Sequence, residues 1–284
     1  RGDDGDRLLL RRPRRGTGRR ARGPGRGRGR AAPGRRGVQH VPRGQPDLPV
    51  AAVLEFYRGM HEYGEKYGAP IIGGDTTRGE QVSISVTALG WKSATGADCL
   101  RSSARAGDNL FVTGALGASR AAVDLILRPE VHVKVSDDLA AKLLARHFAP
   151  QPRIDVGLAL AGNFSRAACI DISDSLYNEA SLLAEAAGVE LVLDLDAIPV
   201  DDNARKYCAA IETDAAAYAL YSGEEYELLF AAPASLNELS DRFSAAGVTC
   251  TVTQVGTVNP GSGVKLLQGG HPVDPQDETY VHFT

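Results

Sequence analysis

The chain has 284 residues, of which 43% are hydrophobic and 24% are charged, and this composition excludes collagen-like, coiled-coil and fully disordered proteins. Its length favours two domains with cores of their own over one large domain. The formal net charge of −3 hides an uneven distribution, because residues 1–45 hold 15 Arg against 3 Asp, a charge of +12, whereas the other 239 residues carry −15. The sequence is therefore a basic segment joined to an acidic body.

Four scattered cysteines, without a Cys-x-x-Cys pair or metal-ligand spacing, are Cys99, Cys169, Cys208 and Cys250. This pattern is typical of buried thiols in a reducing compartment. No apolar run reaches the about 20 residues that a membrane helix needs, and the arginine-rich beginning lacks the apolar core of a secretion signal. We therefore expect a soluble, cytoplasmic protein. Because the first residue is Arg and not Met, we also expect a fragment or a truncated gene product.

Residues 1–48 contain no Lys, Glu, Ser, Ile, Phe, Tyr, Asn, Met, Trp or Cys, so this segment is not expected to form a core. Two interpretations remain open. One is an Arg-Gly tail that binds RNA through its phosphates. The other is GC-rich DNA read in the wrong frame, since Arg, Gly, Pro and Ala have the most GC-rich codons. Functional Arg-Gly tails usually contain aromatic residues for base stacking, and their absence here disfavours a nucleic-acid partner.

From residue 48 onward the sequence is that of an ordinary globular protein. Apolar and aromatic residues recur at three- and four-residue spacing over residues 50–67, which predicts a helix. An apolar run predicts a short strand at residues 70–72, and strict alternation predicts a second strand at residues 81–92. After a polar linker, another buried strand is expected at residues 109–113.

Further along the chain, helical and strand patterns alternate. Helices are predicted at residues 118–128, 137–148, 154–162, 174–187, 201–220 and 234–246, and strands at 168–172, 189–194, 225–232, 248–256 and 263–267. Such alternation favours α/β or α+β layers with helices packed against a sheet. We therefore divide the chain into an anomalous segment, residues 1–48, the remainder of a first domain, residues 49–95, and a second α/β domain, residues 96–284.

Three polar motifs interrupt the apolar strands, and no Gly-x-x-x-x-Gly-Lys-Ser/Thr motif is present. The first is Gly73-Gly74-Asp75-Thr76-Thr77, which follows the strand at residues 70–72. Its glycines permit close approach of the backbone to a ligand, and Asp75 offers oxygen to a hard cation such as Mg²⁺. The alternative is a turn closed by an Asp side chain.

The second motif, Asp171-Ile172-Ser173-Asp174-Ser175, ends a strand and begins a helix. Asp171 and Ser173 lie on the same side of an extended chain, and Asp174 or Ser175 can cap the helix. Capping explains Asp174 but gives no role to Asp171, a carboxylate inside an apolar strand.

The third motif, Ser222-Gly223-Glu224-Glu225, places two adjacent acids before a strand. Because adjacent strand residues face opposite sides, one of the two glutamates is expected to face a pocket and the other the solvent. The alternative is a solvated sheet edge. The six histidines show no metal-ligand spacing and are interpreted as surface or packing residues.

In their order and spacing these motifs resemble the thiamine-monophosphate kinase family over about residues 48–284. The runs that carry the resemblance are residues 56–59, 67–68, 72–77, Arg101, 107–108, 112–117, 150–153, 171–176, 223–228 and 280–283. The resemblance implies a two-domain α/β fold of the aminoimidazole ribonucleotide synthetase-like superfamily, a homodimer formed through the first domain, and transfer of the γ-phosphate of ATP to thiamine phosphate.

By position, the resemblance also implies roles for individual residues. Gly74, Asp75, Arg101 and Ser173 would bind ATP; Asp4, Asp75, Asp171 and Asp174 would bind Mg²⁺; Glu224 and Phe283 would contact thiamine phosphate. Of these, Asp75, Asp171 and Asp174 form the expected catalytic set.

The departures from the family concentrate at the beginning of the chain. The family has three acidic elements before the Gly-Gly-Asp-Thr-Thr site, and only Gly2-Asp3-Asp4 can be matched here, so that two metal-binding acids are missing. Elsewhere Ser222 replaces a family glycine, Glu225 a family aspartate, and Ser175 the glycine after Asp174. The alternatives are another ATP-dependent enzyme of the superfamily, or a catalytically impaired homologue with an RNA-binding tail.

Overall fold

The computed structural model describes residues 48–77, 79, 81–91 and 96–275, which fall into two compact units divided between residues 92 and 93. Asp4, Phe283 and residues 1–47 lie outside the described residues. Within the described ranges, no helix has both the length and the apolar character needed to cross a membrane.

The first unit contains one helix, α1 at Val50–Lys66, as its described regular element. This confirms the predicted helix, although none of its side chains is fully buried. The strands predicted at residues 70–72 and 81–92 are wrong for the part of these ranges that the structure describes, where the chain forms no ladder. A strand is stabilised by backbone hydrogen bonds to a neighbour, and no neighbouring strand lies among the described residues of this unit.

The second unit is built on a seven-stranded sheet with the order β2-β4-β1-β5-β3-β6-β7. Its strands are β1 Asn109–Thr113, β2 Ala168–Asp171, β3 Glu190–Asp194, β4 Leu228–Ala232, β5 Val252–Asn259, β6 Gly263–Gln268 and β7 His271–Val273. All neighbouring pairs are antiparallel except β3 and β6. Leu110 and Val112 of β1 face one core and Phe111 faces another, as period-two alternation requires.

Eight helices described in this unit surround the sheet: α2 Ala118–Leu127, α3 Pro129–His132, α4 Asp137–Phe148, α5 Ile154–Asn163, α6 Leu176–Ala187, α7 Asp202–Ala210, α8 Ala215–Leu220 and α9 Leu236–Ala245. Helices α6 and α8 contribute to the core on one face, whereas α5 and α9 cover the other. A smaller apolar cluster joins α2, α4, α7 and α8. The expected α+β layers are therefore confirmed.

Three predicted elements of the second unit have clearly different bounds in the structure, and one of them is the strand predicted at residues 248–256, which is β5 at Val252–Asn259. The helix predicted at residues 201–220 is divided into α7 and α8, because Glu212 has a φ of 57° and Asp214 caps a new helix by accepting from the Ala217 N–H at 2.7 Å. The strand predicted at residues 225–232 begins only at Leu228. Helix α3 and strand β7 were not predicted.

Candidate functional site

The 171–175 loop leaves the end of β2 and enters α6. Asp171 is the last residue of β2 and its side chain is exposed. Ser175 is the cap of α6, because its Oγ accepts from the Asn178 N–H at 3.1 Å. Ser175 therefore caps the helix, and Asp174, the other residue that the sequence offered as a cap, does not.

Glu179, a buried residue of α6, holds the 171–175 loop through hydrogen bonds. Its carboxylate accepts hydrogen bonds from Ser173 Oγ at 3.1 Å, from the Asp174 N–H at 3.1 Å and from the Ser175 N–H at 2.9 Å. Sequence reasoning missed Glu179. The available signal was an acid in the first turn of a helix that begins at a serine, an arrangement close to a capping box.

The 222–227 loop lies directly on the 171–175 loop. The Glu224 N–H donates to the Ser173 carbonyl at 2.6 Å, and the Tyr226 N–H donates to the Ile172 carbonyl at 2.8 Å. Gly223 permits this approach, since a Cβ at that position would lie 2.5 Å from the Asp174 carbonyl oxygen. The structure thus brings together two of the three motifs, which are about 50 residues apart in sequence.

Glu224 and Glu225 point in opposite directions, as predicted, although neither is in a strand. Glu224 is exposed, whereas Glu225 is fully buried. The Glu225 Oε1 atom accepts from the Gly117 N–H at 2.8 Å and the Ser119 N–H at 3.1 Å, at the beginning of α2. Burial raises the pKa of Glu225, and the hydrogen bond from Ser222 Oγ opposes that rise. Two departures from the family pattern, Ser222 and Glu225, therefore contact each other.

Glu227 is a buried carboxylate that joins several elements. It accepts two hydrogen bonds from Arg153, both at 2.6 Å, one from Arg146 Nη2 at 2.8 Å and one from Thr113 Oγ1 at 2.6 Å. The hydrogen bond to Glu227 is the main cause of the raised pKa of Arg153. Gly114 must lack a side chain, because its Cβ would lie 2.3 Å from Glu227 Oε1. This network fixes the end of the 222–227 loop.

Asp171, Asp174 and Glu224 form what we call the acidic surface. Tyr226 donates its hydroxyl to Glu224 Oε2 at 2.8 Å. That hydrogen bond is the largest cause of the rise of the Tyr226 pKa to about 12, and burial and the charges of all three acids add to it. All three carboxylates therefore raise the pKa of the same residue, Tyr226.

The oxygen donors of the acidic surface suit a hard cation. Within the described part of the chain, no three His, Cys, Asp or Glu side chains are grouped so as to hold a metal ion by themselves. Mg²⁺ in phosphoryl-transfer sites is usually held by one or two carboxylates together with water and substrate phosphates. The residues present therefore fit Mg²⁺ that arrives with a nucleotide.

Arg101 begins a short 3₁₀ turn, Arg101–Ser103, that contacts β2 and α6. Arg166 holds this turn by donating to the Ser103 carbonyl at 2.9 Å, and it is paired with the buried Asp108 through a hydrogen bond of 2.7 Å. Arg101 itself is exposed. A predicted nucleotide-binding side chain thus lies on a firmly held turn beside the strand that ends in Asp171.

Gly74 and Asp75 belong to the first unit and are exposed there. Asp75 Oδ1 accepts from the Thr76 N–H at 2.8 Å, which is the kind of local bond that the alternative interpretation of this motif expected. The metal-binding roles expected of Asp75 and Asp171 stay predictions, as do the roles assigned to Asp4 and Phe283, which lie outside the described residues.

Two family models match the chain. The one described as AIR synthase related protein, C-terminal domain, matches residues 105–268, and the one for the N-terminal domain matches residues 40–91. A thiamine-monophosphate kinase of Aquifex aeolicus is 32% identical over 84% of this chain and 71% of its own length. Those of Methanopyrus kandleri and Haemophilus influenzae are 33% and 35% identical over 76% and 74% of this chain, which spans only 64% and 62% of their lengths.

Solved structures agree with these relatives. The structure named AaThiL complexed with AMPPCP and TMP is 29% identical, with a TM-score of 0.72 over 87% of this chain and 74% of its own. The thiamine-monophosphate kinase of Stenotrophomonas maltophilia is 27% identical, with a TM-score of 0.70 over 84% of this chain and 74% of its own. The hydrogenase maturation protein HypE of E. coli, at 19% identity and a TM-score of 0.62 over 87% and 74%, shares the fold.

Proposed function

Because the chain belongs to the thiamine-monophosphate kinase family of the AIR synthase related proteins, we propose that it transfers the γ-phosphate of ATP to thiamine phosphate and forms thiamine diphosphate. The observation that carries this proposal within the molecule is the contact between the 171–175 and 222–227 loops. Through this contact the 171–175 loop, whose Asp171 and Asp174 can bind a metal–nucleotide complex, lies next to Glu224, whose carboxylate can bind a cationic group.

For this reaction the protein has mainly to position the two phosphates and to compensate their negative charge. The acceptor is a phosphate monoester and is already an anion at neutral pH, so no general base has to remove a proton. The two phosphates repel each other and must be held in line. When bound, Mg²⁺ would neutralise this repulsion and the charge that develops on the transferred group.

For the metal we propose Asp75, Asp171 and Asp174, with Asp4 as a further ligand. Asp171 ends a strand, and Asp174 is held through its N–H by Glu179. Gly74, Ser173 and Arg101 would contact the nucleotide.

For thiamine phosphate we propose Glu224, with Phe283 as a second contact. Glu224 is exposed, and its N–H donates to the carbonyl of Ser173, the residue before Asp174, at 2.6 Å. A carboxylate there can face the positively charged thiazolium ring while the phosphates are bound through the metal-binding acids. We also propose, from the family resemblance, that the protein is a cytoplasmic homodimer.

The experiment is to incubate the purified chain with ATP, Mg²⁺ and thiamine phosphate and to measure thiamine diphosphate. Product should form slowly, because two metal-binding acids of the family are missing. It should form with thiamine phosphate and not with unphosphorylated thiamine, and EDTA should abolish its formation. Asp171→Asn should lower turnover by about a hundredfold or more, because a metal ligand is lost. Ser181→Ala, in the same helix-and-loop region but bonded only to the Tyr177 carbonyl, is the matched control. Absence of product would favour a catalytically impaired homologue.

A further inference from the structure

Tyr226 stands beside the acidic surface in a backbone conformation that is unusual for tyrosine. Its φ is 54° and that of Glu224 is 59°, both in the left-handed region that favours glycine. Between them the buried Glu225 is bonded to the beginning of α2. Residues held in such conformations persist only where their surroundings enforce them, and they cluster at functional sites.

Three interactions enforce this turn from different directions. The backbone N–H groups of Glu224 and Tyr226 donate to carbonyls of the 171–175 loop, at 2.6 and 2.8 Å. Arg146 Nη2 donates to the Glu225 carbonyl at 3.1 Å. The turn is therefore held rigidly, and both side chains at its tip are fixed at their base.

At the tip of this turn the side chains of Tyr226 and Glu224 contact each other. Tyr226 donates its hydroxyl to Glu224 Oε2 at 2.8 Å, although 38% of the tyrosine is exposed. A surface glutamate normally samples several rotamers, and ordering it costs conformational entropy when a ligand binds. A hydrogen bond made before the ligand arrives removes part of that cost. A tyrosine hydroxyl has an ordinary pKa of about 10, so it is a donor at neutral pH.

We propose that Tyr226 is a positioning residue which holds the Glu224 carboxylate ready for the cationic ring of the acceptor, and thereby sets the affinity for thiamine phosphate without affecting the nucleotide. The inference rests on the proposed function, because it assigns Glu224 to the acceptor. Tyr226 engages one carboxylate oxygen, Oε2, and acts on the ligand through Glu224 rather than by contact of its own.

The test is a cycle of variants measured by calorimetric binding and by kinetics on the full chain. Tyr226→Phe removes one hydroxyl and should raise the Kd for thiamine phosphate about three- to tenfold, with the Kd for Mg²⁺–ATP and kcat unchanged. Glu224→Gln should raise the same Kd about tenfold or more. The double variant should bind no more weakly than Glu224→Gln, since Tyr226 acts through that carboxylate.

Tyr177→Phe is the matched control, because it removes a hydroxyl from a half-buried tyrosine of the same unit whose ring packs against Tyr221. It should leave both dissociation constants unchanged, and all variants should unfold at the urea concentration of the parent chain. An unchanged Kd in Tyr226→Phe, an equal loss for Mg²⁺–ATP, or additive losses in the double variant would overturn the inference while the kinase assignment stands. A parent chain that neither binds thiamine phosphate nor forms thiamine diphosphate would refute both.

Discussion

The two units contrast in what their apolar residues contact. In the second unit, Phe111 and Phe230 are fully buried and their rings stack at 5.2 Å across neighbouring strands. In the first unit, Val82, Ile84 and Val86 alternate as they would in a strand, yet they are 52%, 46% and 56% exposed. Strand-like alternation therefore becomes a strand only where another chain segment supplies hydrogen bonds and an apolar face. No strand among the described residues of the first unit supplies either of these.

The largest effect should come from replacing residues 1–48 by a sequence that carries the Ser-Thr-Asp and Asn-Leu-Ser-Asp elements of the family. The present segment has no alternating apolar residues for leading strands and lacks two metal-binding acids. We expect thiamine diphosphate formation to rise on the order of a hundredfold or more, since phosphate repulsion is then fully compensated. Equal turnover of the two proteins would contradict both the reading-frame interpretation and the metal-ligand argument.

Hydrogen exchange followed by mass spectrometry tests the contrast directly. Amides of β1, β4 and β5 should exchange slowly, because they lie in ladders within a buried sheet. Amides of residues 82–91 should exchange close to the rate of an unstructured peptide, since no ladder includes them in the described residues. Slow exchange at residues 82–91 that disappears on dilution would instead show that a second copy of the chain supplies the missing strand.

Two glycine-to-alanine substitutions, one in each unit, should change the free energy of unfolding in opposite directions. Gly223→Ala places a Cβ 2.5 Å from the Asp174 carbonyl oxygen, so we expect it to destabilise by about 1–3 kcal/mol and to separate the two loops. Gly59→Ala lies inside α1 with nothing within 4 Å of its Cβ, and it should stabilise the helix by up to about 1 kcal/mol. Urea unfolding measures both, and a neutral Gly223→Ala would show that the loops are not closely packed.

The last expected effect is a pH dependence of the unfolding free energy that arises from Glu225. Its folded-state pKa is raised by burial, so the folded state binds the proton more tightly than the unfolded state. Its stabilising contribution is therefore complete below the unfolded pKa of about 4.3 and is lost as the pH rises through the folded pKa. The unfolding free energy of the parent chain relative to Glu225→Gln should fall over that window, by about 1.4 kcal/mol for each unit of the rise.

Ser222→Ala sharpens this measurement, because it removes a hydrogen bond that lowers the Glu225 pKa. The fall with pH should then be larger than in the parent chain. A difference between the parent chain and Glu225→Gln that does not vary with pH would show that the carboxylate is hydrated in the folded protein.

Local sequence patterns predicted the helices and strands of the second unit well where the bounds of an element depend only on the residues within it. The three- and four-residue periodicity gave α2 and α4 nearly to the residue, and the apolar run of β1 was correct. The break between α7 and α8 was missed because Thr213-Asp214, a cap signal, stands inside a run of helix-favouring residues. The start of β4 was missed because the positive φ of Tyr226 comes from contacts with the 171–175 loop and not from its own preference.

The same distinction applies to the candidate site. Asp171 and Glu224 could be selected from sequence because a carboxylate beside an apolar strand is conspicuous. Glu179 could have been selected too, because its partners are only four to six residues away in sequence. Glu227 could not, since its partners are brought near only by the fold. Arg153 stood in a run that carried the family resemblance, yet its partner is 74 residues away in sequence.

The carboxylate of Glu227 also has a consequence for the order of folding. Its partners Thr113, Arg146 and Arg153 are separated from it by 114, 81 and 74 residues, so every bond closes a long loop. The β1–β4 ladder closes a loop of similar length, and side-chain bonds at the end of that ladder are expected to form only after the strands have paired. Glu227→Gln should therefore speed unfolding much more than it slows folding, so that this single buried acid governs how long the folded molecule persists rather than how quickly it is reached.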